Sequence, residues 1–332
     1  MIVVLTGASG ALGQRVVRAL EARRNGAPLD VLLDGGDDVD PGPDRSDTIT
    51  VVDLGSSDYD LRAARRESAT EFATRTLEIA DRWGADHVVF VSSAMVYGAM
   101  ANNPIPLTEE ATLRPEVEFV FARQLASAEE LVEQWRLTTP GAATAVLRPA
   151  VSLAAGGSSR LATALVSGFG RRLAEADPPS QFLHLDDLAD AVAVAVTSRL
   201  DGVYNVAPDG WVAGERVRAL SGERPRLPLP ERFGELLAGL RWRFQRGPIP
   251  PGLLAYTREP WVVSNGRLRA AGWEPTVTNE QTYVESTEAP WWTMVSPKRR
   301  QELALGAGIA GGLLVALVVG LVVRAQVSRR RG

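Results

Sequence analysis

The stretch TGASGALG, residues 6–13, carries glycine at positions 7, 10 and 13. It follows a short apolar run and opens a segment whose Val16, Val17 and Leu20 share one helical face. Glycines so spaced between a strand and a helix permit a tight turn, close backbone approach to a phosphate, and close helix–strand packing. The helix N-terminus adds unpaired N–H donors and partial positive charge. The expected ligand group is a pyrophosphate, held by Gly7, Ser9, Gly10, Ala11, Leu12 and Gly13. Asp34 ends the second apolar run, about twenty residues further on, where an acid would hold ribose hydroxyls and repel a 2′-phosphate. This leans towards NAD over NADP. The plainer alternative is a remnant turn and a solvated aspartate.

Composition removes several other chemistries. The chain of 332 residues has no cysteine, which excludes disulfides and thiolate metal sites. Its two histidines, His87 and His184, lie far apart, which argues against a zinc or histidine-based cluster. A net charge of −4 offers no basic field for nucleic acid. The length and a hydrophobic content of 45% suffice for a sizeable core and more than one domain.

The elements that must position the glycine turn alternate. Apolar runs at 2–6, 29–33, 49–54, 87–92 and 143–147 read as strands. Helical patterns follow the turn and cover 68–83 and 119–136. Such alternation predicts an α/β fold with a parallel sheet covered on both faces. Residues 35–47 form a polar loop. Beyond Pro149 the pattern loosens, with a helix near 186–198, a strand near 202–207, and prolines gathered between 225 and 260. The expected organisation is a nucleotide-binding domain over 1–150, completed by about 180–207, and a smaller substrate lobe mainly over 151–285.

Residues 303–323, LALGAGIAGGLLVALVVGLVV, hold no charged or polar side chain. As a helix they would span about 32 Å, close to a bilayer's hydrocarbon thickness. Lys298, Arg299 and Arg300 precede them; Arg324, Arg329, Arg330 and Arg331 follow. Basic flanks of this kind belong at headgroup level. One transmembrane helix is expected, after a juxtamembrane linker over 286–302 that includes Trp291 and Trp292, and before a basic tail over 324–332. Gly308 and Gly312 form a GxxxG pair, a spacing that suits a homodimer. The first residues lack the basic leader of a signal peptide. The expected placement is a single-pass, tail-anchored protein of the cell membrane with its main domain in the cytoplasm.

Several pieces in order resemble the extended short-chain dehydrogenase/reductases, the NAD-dependent epimerase/dehydratase family. TGASGALG is similar to that family's cofactor turn. VSSAMVYG (91–98) resembles the strand bearing its catalytic serine, which would be Ser93. FARQLASAEELV resembles its Tyr-x-x-x-Lys helix, VLRPA (146–150) the strand leading to its substrate lobe, and FLHLDDLADAV, GVYNVA and AAGWEP its later segments. The resemblance covers about 1–285. It implies a Rossmann-like doubly wound sheet with a small C-terminal lobe, a nicotinamide cofactor, and a ligand such as a nucleotide sugar. In that family tyrosine is the acid/base, lysine lowers its pKa, and serine polarises the substrate oxygen.

The chain departs from the pattern where the chemistry is. Phe121 and Leu125 stand where tyrosine and lysine would, and neither transfers a proton. A register slip does not restore the pair, because Lys298 is the only lysine. Phe121, Leu125, Ala128, Val132 and Trp135 instead form one apolar stripe at helical spacing. The stretch between Asp34 and Ile49 is also short, so the sheet is expected to lack about one β-α unit, with residues 48–57 acting as the family's fourth strand.

Other candidates carry plain alternatives. Ser93 polarises a carbonyl or caps a turn. Tyr97 supplies a phenol near the site or packs as an aromatic. Arg123 offers positive charge near the pocket or lies on a solvated face, and Arg148 contacts a phosphate-bearing substrate or pairs with a nearby acid. Asp186 and Asp187, beside His184, read best as an aspartate helix cap. Three functions follow: a membrane-anchored dinucleotide-binding sensor or scaffold without standard acid/base catalysis; an active epimerase, dehydratase or reductase with a relocated acid/base, Tyr97 with Ser93; and an interaction module with a vestigial nucleotide site.

Overall fold

The computed structural model describes residues 1–24, 29–33, 48–55, 68–169, 177–221 and 251–287. Asp34, Lys298, the 303–323 segment, Gly308, Gly312 and the basic tail lie outside the described residues, as does nearly all of the 286–302 linker. Among the described residues no helix is long and apolar enough to cross a membrane.

Six parallel strands form the main sheet in the order β2-β1-β3-β4-β5-β8. They are β1 (Ile2–Thr6), β2 (Asp30–Leu33), β3 (Ile49–Asp53), β4 (His87–Val91), β5 (Ala143–Pro149) and β8 (Gly202–Val206). Every residue of β3, β4 and β5 is buried, as expected of central parallel strands with helices on both faces. Among the described residues β2 is the sheet's edge, with Leu33 55% exposed. A doubly wound sheet of this kind commonly runs 3-2-1-4-5-6. Here the third strand pairs directly with β1, Val4 beside Val51, and takes the place of the fourth.

Alternation along the strands sorts side chains between two layers. Val3, Leu5, Val52, Val89 and Leu147 face helices α1 (Ala11–Arg24) and α5 (Leu185–Thr197). Val4, Val51 and Val88 face α2 (Ala69–Trp83) and Trp135 of α3 (Val120–Thr138). Helix α2 starts at a capping box: Ser68 accepts from the Glu71 N–H, and Glu71 accepts from the Ser68 N–H. It stops at Gly84, whose φ of 57° suits a left-handed cap.

A smaller lobe is built from β6 (Val151–Leu153) and β7 (Phe182–His184), paired in parallel, with α4 (Arg160–Gly168), α6 (Gly214–Leu220), α7 (Ala255–Arg258) and α9 (Asn279–Ser286) around it, while α8 (Gly266–Ala270) packs on β8 and the core beneath α1 and α5 through Leu268. Phe182 is the lobe's centre, 5.7 Å from the Phe169 ring and 4.8 Å from the Tyr283 ring. Gln181 ties together two connecting segments of the lobe: its amide donates to the Gly210 and Val263 carbonyls and accepts from the Val263 N–H. The expected aspartate cap on α5 is corrected. The His184 ring accepts from the Asp186 N–H, while the Asp187 carboxylate accepts from the Thr276 N–H and hydroxyl and from the Val277 N–H. The sequence pattern around His184 and Asp187 carried no sign of a partner some ninety residues away.

Candidate functional site

The strand order reverses between β1 and β3, and the crevice at their carboxyl ends is where open α/β sheets take ligands. The glycine turn sits there. Gly7 has φ +68°, and a side chain on it would meet the Gly55 backbone at 2.7 Å. Gly13 lets the turn close on α1: a Cβ there would lie 2.1 Å from the Ala8 carbonyl oxygen. Its N–H donates to the Gly10 carbonyl at 3.2 Å. Ser9 is exposed and Gly7, Gly10 and Ala11 are half-buried, so the face of the turn that meets a ligand is open to solvent. Leu12 points inward at 2% exposure. The glycine turn and the α1 N-terminus therefore fit a pyrophosphate.

A cavity of about 70 Å³ begins beside Ala11 and Leu12 and runs past the ends of β4 and β5 to Trp261 of the lobe. Ser93 lines it. The Ser93 hydroxyl caps the 3₁₀ turn Ala94–Tyr97 by accepting from the Met95 N–H at 3.2 Å. Phe121 lines it too, and Leu125 lies one turn further along α3 with no exposure. The helix carrying the apolar stripe thus borders the cavity, together with α1, α4 and α5. Phe121, Phe119, Tyr256 and Trp261 form a chain of edge-on ring contacts, with centroids 5.9, 5.8 and 5.4 Å apart. The site's α3 wall is packing, with no hydroxyl or ammonium at either position.

Tyr97 does not join the cavity lining among the described residues. It is fully buried, donates to Asn205 Oδ1 at 2.8 Å and accepts from Arg148 Nη1 at 2.8 Å. Burial pushes its phenol above the ordinary value, and Arg148 only partly offsets that. A phenol so held keeps its proton near neutrality. Arg148 is engaged as well. It forms a bidentate pair with Glu129, Nη2 to Oε2 at 2.5 Å, with side chains 6% and 7% exposed. Glu129 also accepts from Ser92 at 2.5 Å. The nearby acid expected as one alternative for Arg148 is Glu129. Its place one turn beyond Leu125 on the buried side of α3 was the available signal. Arg123 is exposed on α3, away from the cavity.

No curated protein sequence matches the chain. The UDP-glucose 4-epimerase of Thermus thermophilus, solved with NAD, superposes with a TM-score of 0.57 at 18% identity, covering 86% of this chain and 97% of that one. RMD from Pseudomonas aeruginosa, solved with NADPH, gives 0.56 at 22% identity, covering 86% and 96%. The dTDP-glucose 4,6-dehydratase of Bacillus anthracis str. Ames, solved with NAD, gives 0.56 at 15% identity, covering 86% and 95%. At these identities the likeness shows the shared fold. The sequence adds the family: the model described as the NAD dependent epimerase/dehydratase family matches residues 3–207, from β1 to the end of the sheet. On that match the chain belongs to the NAD dependent epimerase/dehydratase family.

Proposed function

We propose that this chain binds a dinucleotide, NAD in preference to NADP, and works as a membrane-anchored sensor or scaffold without the standard acid/base step. The observation that carries the reading is the α3 wall of the cavity. Phe121 lines it and Leu125 packs one turn behind, both buried at 2% exposure or less, and among the described residues no tyrosine or lysine takes their place. The glycine turn supports the binding half. When bound, the nicotinamide would supply hydride chemistry, and the turn and α1 would hold its pyrophosphate. Ser93 would face the nicotinamide end, and its hydroxyl already accepts a backbone hydrogen bond. The hydrogen bonds that hold Tyr97 weigh against the relocated-catalyst reading. The apolar lining also offers a sugar few partners, since hydroxyls buried without hydrogen bonds are costly.

Calorimetric titration of the protein with NADH and NADPH tests the binding. Saturable micromolar binding of NADH, lost in Gly10→Asp, is the expected result. Absence of binding by either cofactor would leave an interaction module with a vestigial turn. Steady turnover of a nucleotide sugar or a carbonyl substrate would overturn the non-catalytic half.

The anchoring half rests on sequence. Residues 303–323 are uncharged and flanked by basic residues on both sides. The full chain should sediment with membranes and resist a high-salt wash, and a chain ending at residue 296 should stay in the supernatant. A full chain that washes off in salt would remove the anchor. Crosslinking lost on Gly308→Leu and Gly312→Leu would assign homodimerisation to that segment.

A further inference from the structure

Helix α9 ends at Ser286, and residues 288–302 separate Thr287 from the apolar stretch that opens at Leu303. Those fifteen residues reach about 50 Å at full extension, so the anchor would hold the surface around α9 closest to the bilayer. Two large apolar side chains stand out of that surface: Trp211 is 45% exposed and Val284 is 59% exposed. Trp211 follows the turn at Asp209 and Gly210, which α9 holds through Asn279, donating to the Asp209 carbonyl at 3.0 Å. Val284 lies one turn beyond Glu280, on the edge of α9 that faces α6, where Glu280 pairs with Arg216 at 2.6 Å. Trp211 leads through Val212 and Ala213 into α6, so the indole, Arg216 and Val284 flank one α6–α9 surface. The path of this segment is fixed without the indole: Val212 is buried and exchanges backbone hydrogen bonds of 2.8 and 3.0 Å with Ser180.

An indole has an apolar body and one N–H donor, a combination that settles at the headgroup level of a bilayer. The valine adds aliphatic area to the same contact. We propose that the α6–α9 surface, through Trp211 and Val284, rests on the headgroup layer of the membrane that holds the anchor and so sets the orientation of the domain upon it. The inference rests on the anchoring reading above and adds the surface of contact.

The area of contact decides among occupants. A stable protein interface takes roughly 800 Å² from each partner, and one aromatic ring buries about 150–250 Å². Trp211 and Val284 are too few to hold a second copy or a separate protein. A tethered domain needs less. A short tether sets an effective concentration on the order of millimolar, which populates a contact too weak to recruit the free domain. Because the contact is apolar, salt should not release it.

The test uses the full chain in vesicles. The chain has no cysteine, so single cysteines report position cleanly. Ala213→Cys and Glu285→Cys place a label beside Trp211 and Val284, at exposed positions. Leu137→Cys places one at the far end, 69% exposed, where α3 approaches the amino end of β5. Each chain carries a fluorophore in phosphatidylcholine vesicles whose lipids bear a nitroxide at the headgroup. Quenching at 213 and 285 should exceed that at 137 by roughly threefold, at low and high salt alike, and should fall to the level at 137 when Trp211→Ser and Val284→Gln are added. Equal quenching at the three positions, in a chain that sediments with the vesicles, would overturn the contact and leave the anchor standing. A difference that survives both substitutions would overturn the assignment to Trp211 and Val284. A difference that depends on the protein-to-lipid ratio would give the surface to a second copy and overturn the lipid contact. A full chain that stays in the supernatant would overturn anchor and contact together. The labelled chains that keep Trp211 and Val284 decide by themselves if the substituted chain melts early.

Discussion

The Tyr97 phenol accepts from Arg148 and donates to Asn205, so its deletion is a question of stability. The same holds across the buried network it joins. Glu129 and Arg148 are both nearly out of water, and a buried charge left without its partner costs about 3–5 kcal/mol. Arg148→Met alone should lower the unfolding free energy by about that much, because Glu129 keeps its charge and loses its partner. Arg148→Met with Glu129→Leu should recover most of the loss in the same urea titration. A single variant as stable as wild type would mean that the pair contributes nothing net to folding. His87 gives the residue scale its pH dependence. It is fully buried at the start of β4; its Nε2–H donates to the Leu200 carbonyl and its Nδ1 accepts from Thr50. Burial lowers its pKa from 6.5 to about 4, with the Leu200 bond opposing in part. A lowered histidine pKa means stability that is full above 6.5 and lost as pH falls through 4. The loss should reach ~3 kcal/mol and should be absent from His87→Gln. A wild-type urea midpoint that stays flat between pH 7 and pH 4 would contradict it.

Among the elements, α3 shows most clearly what a change of side chains does within a shared fold. Its stripe from Phe121 to Trp135 is buried throughout, and Leu125 has no contact with solvent. A lysine at 125 would have to bury its ammonium or give up its proton. Leu125→Lys should therefore destabilise by several kcal/mol, with a lowered lysine pKa. Placing Phe121→Tyr beside it should not restore turnover. A stable double variant that turns over a nucleotide sugar would mean the catalytic pocket is otherwise intact. Elements were the most legible level of this sequence. The starts and ends of β1, β3, α2, α3 and α5 follow from apolar periodicity, the Ser68 box and Gly84. The glycine turn was legible because its chemistry is local, fixed by residues within eight positions of one another. The state of Tyr97, Arg148 and Asp187 was not. Each is settled by a partner from a distant strand or segment, and periodicity carries no information about such pairings. The short pairing of β6 with β7 escaped for the same reason, since three-residue strands leave almost no period to read.

At the scale of the whole molecule, the body and lobe are interleaved along the chain. Asp187, at the start of α5, accepts three hydrogen bonds from Thr276 and Val277, and its carbonyl takes the Trp273 indole N–H. Asp187→Ala should release that segment. We expect a loss of about 2–3 kcal/mol and faster hydrogen exchange at residues 273–283, with exchange in β3 and β4 unchanged. Uniformly faster exchange would mean that the segment and the sheet open together.

Trp273 and Leu268 pack into the core beneath α1 and α5, yet they lie some sixty residues after the last strand of the sheet. A chain emerging from the ribosome has every described strand of the sheet in hand once residue 206 is free. Its α5 face still lacks the tryptophan that seals it. Completion waits until residues 268–283 arrive, and the apolar stretch at 303–323 follows soon after. Closure of the core is thus a late event of synthesis, and until then the domain carries one unsealed face.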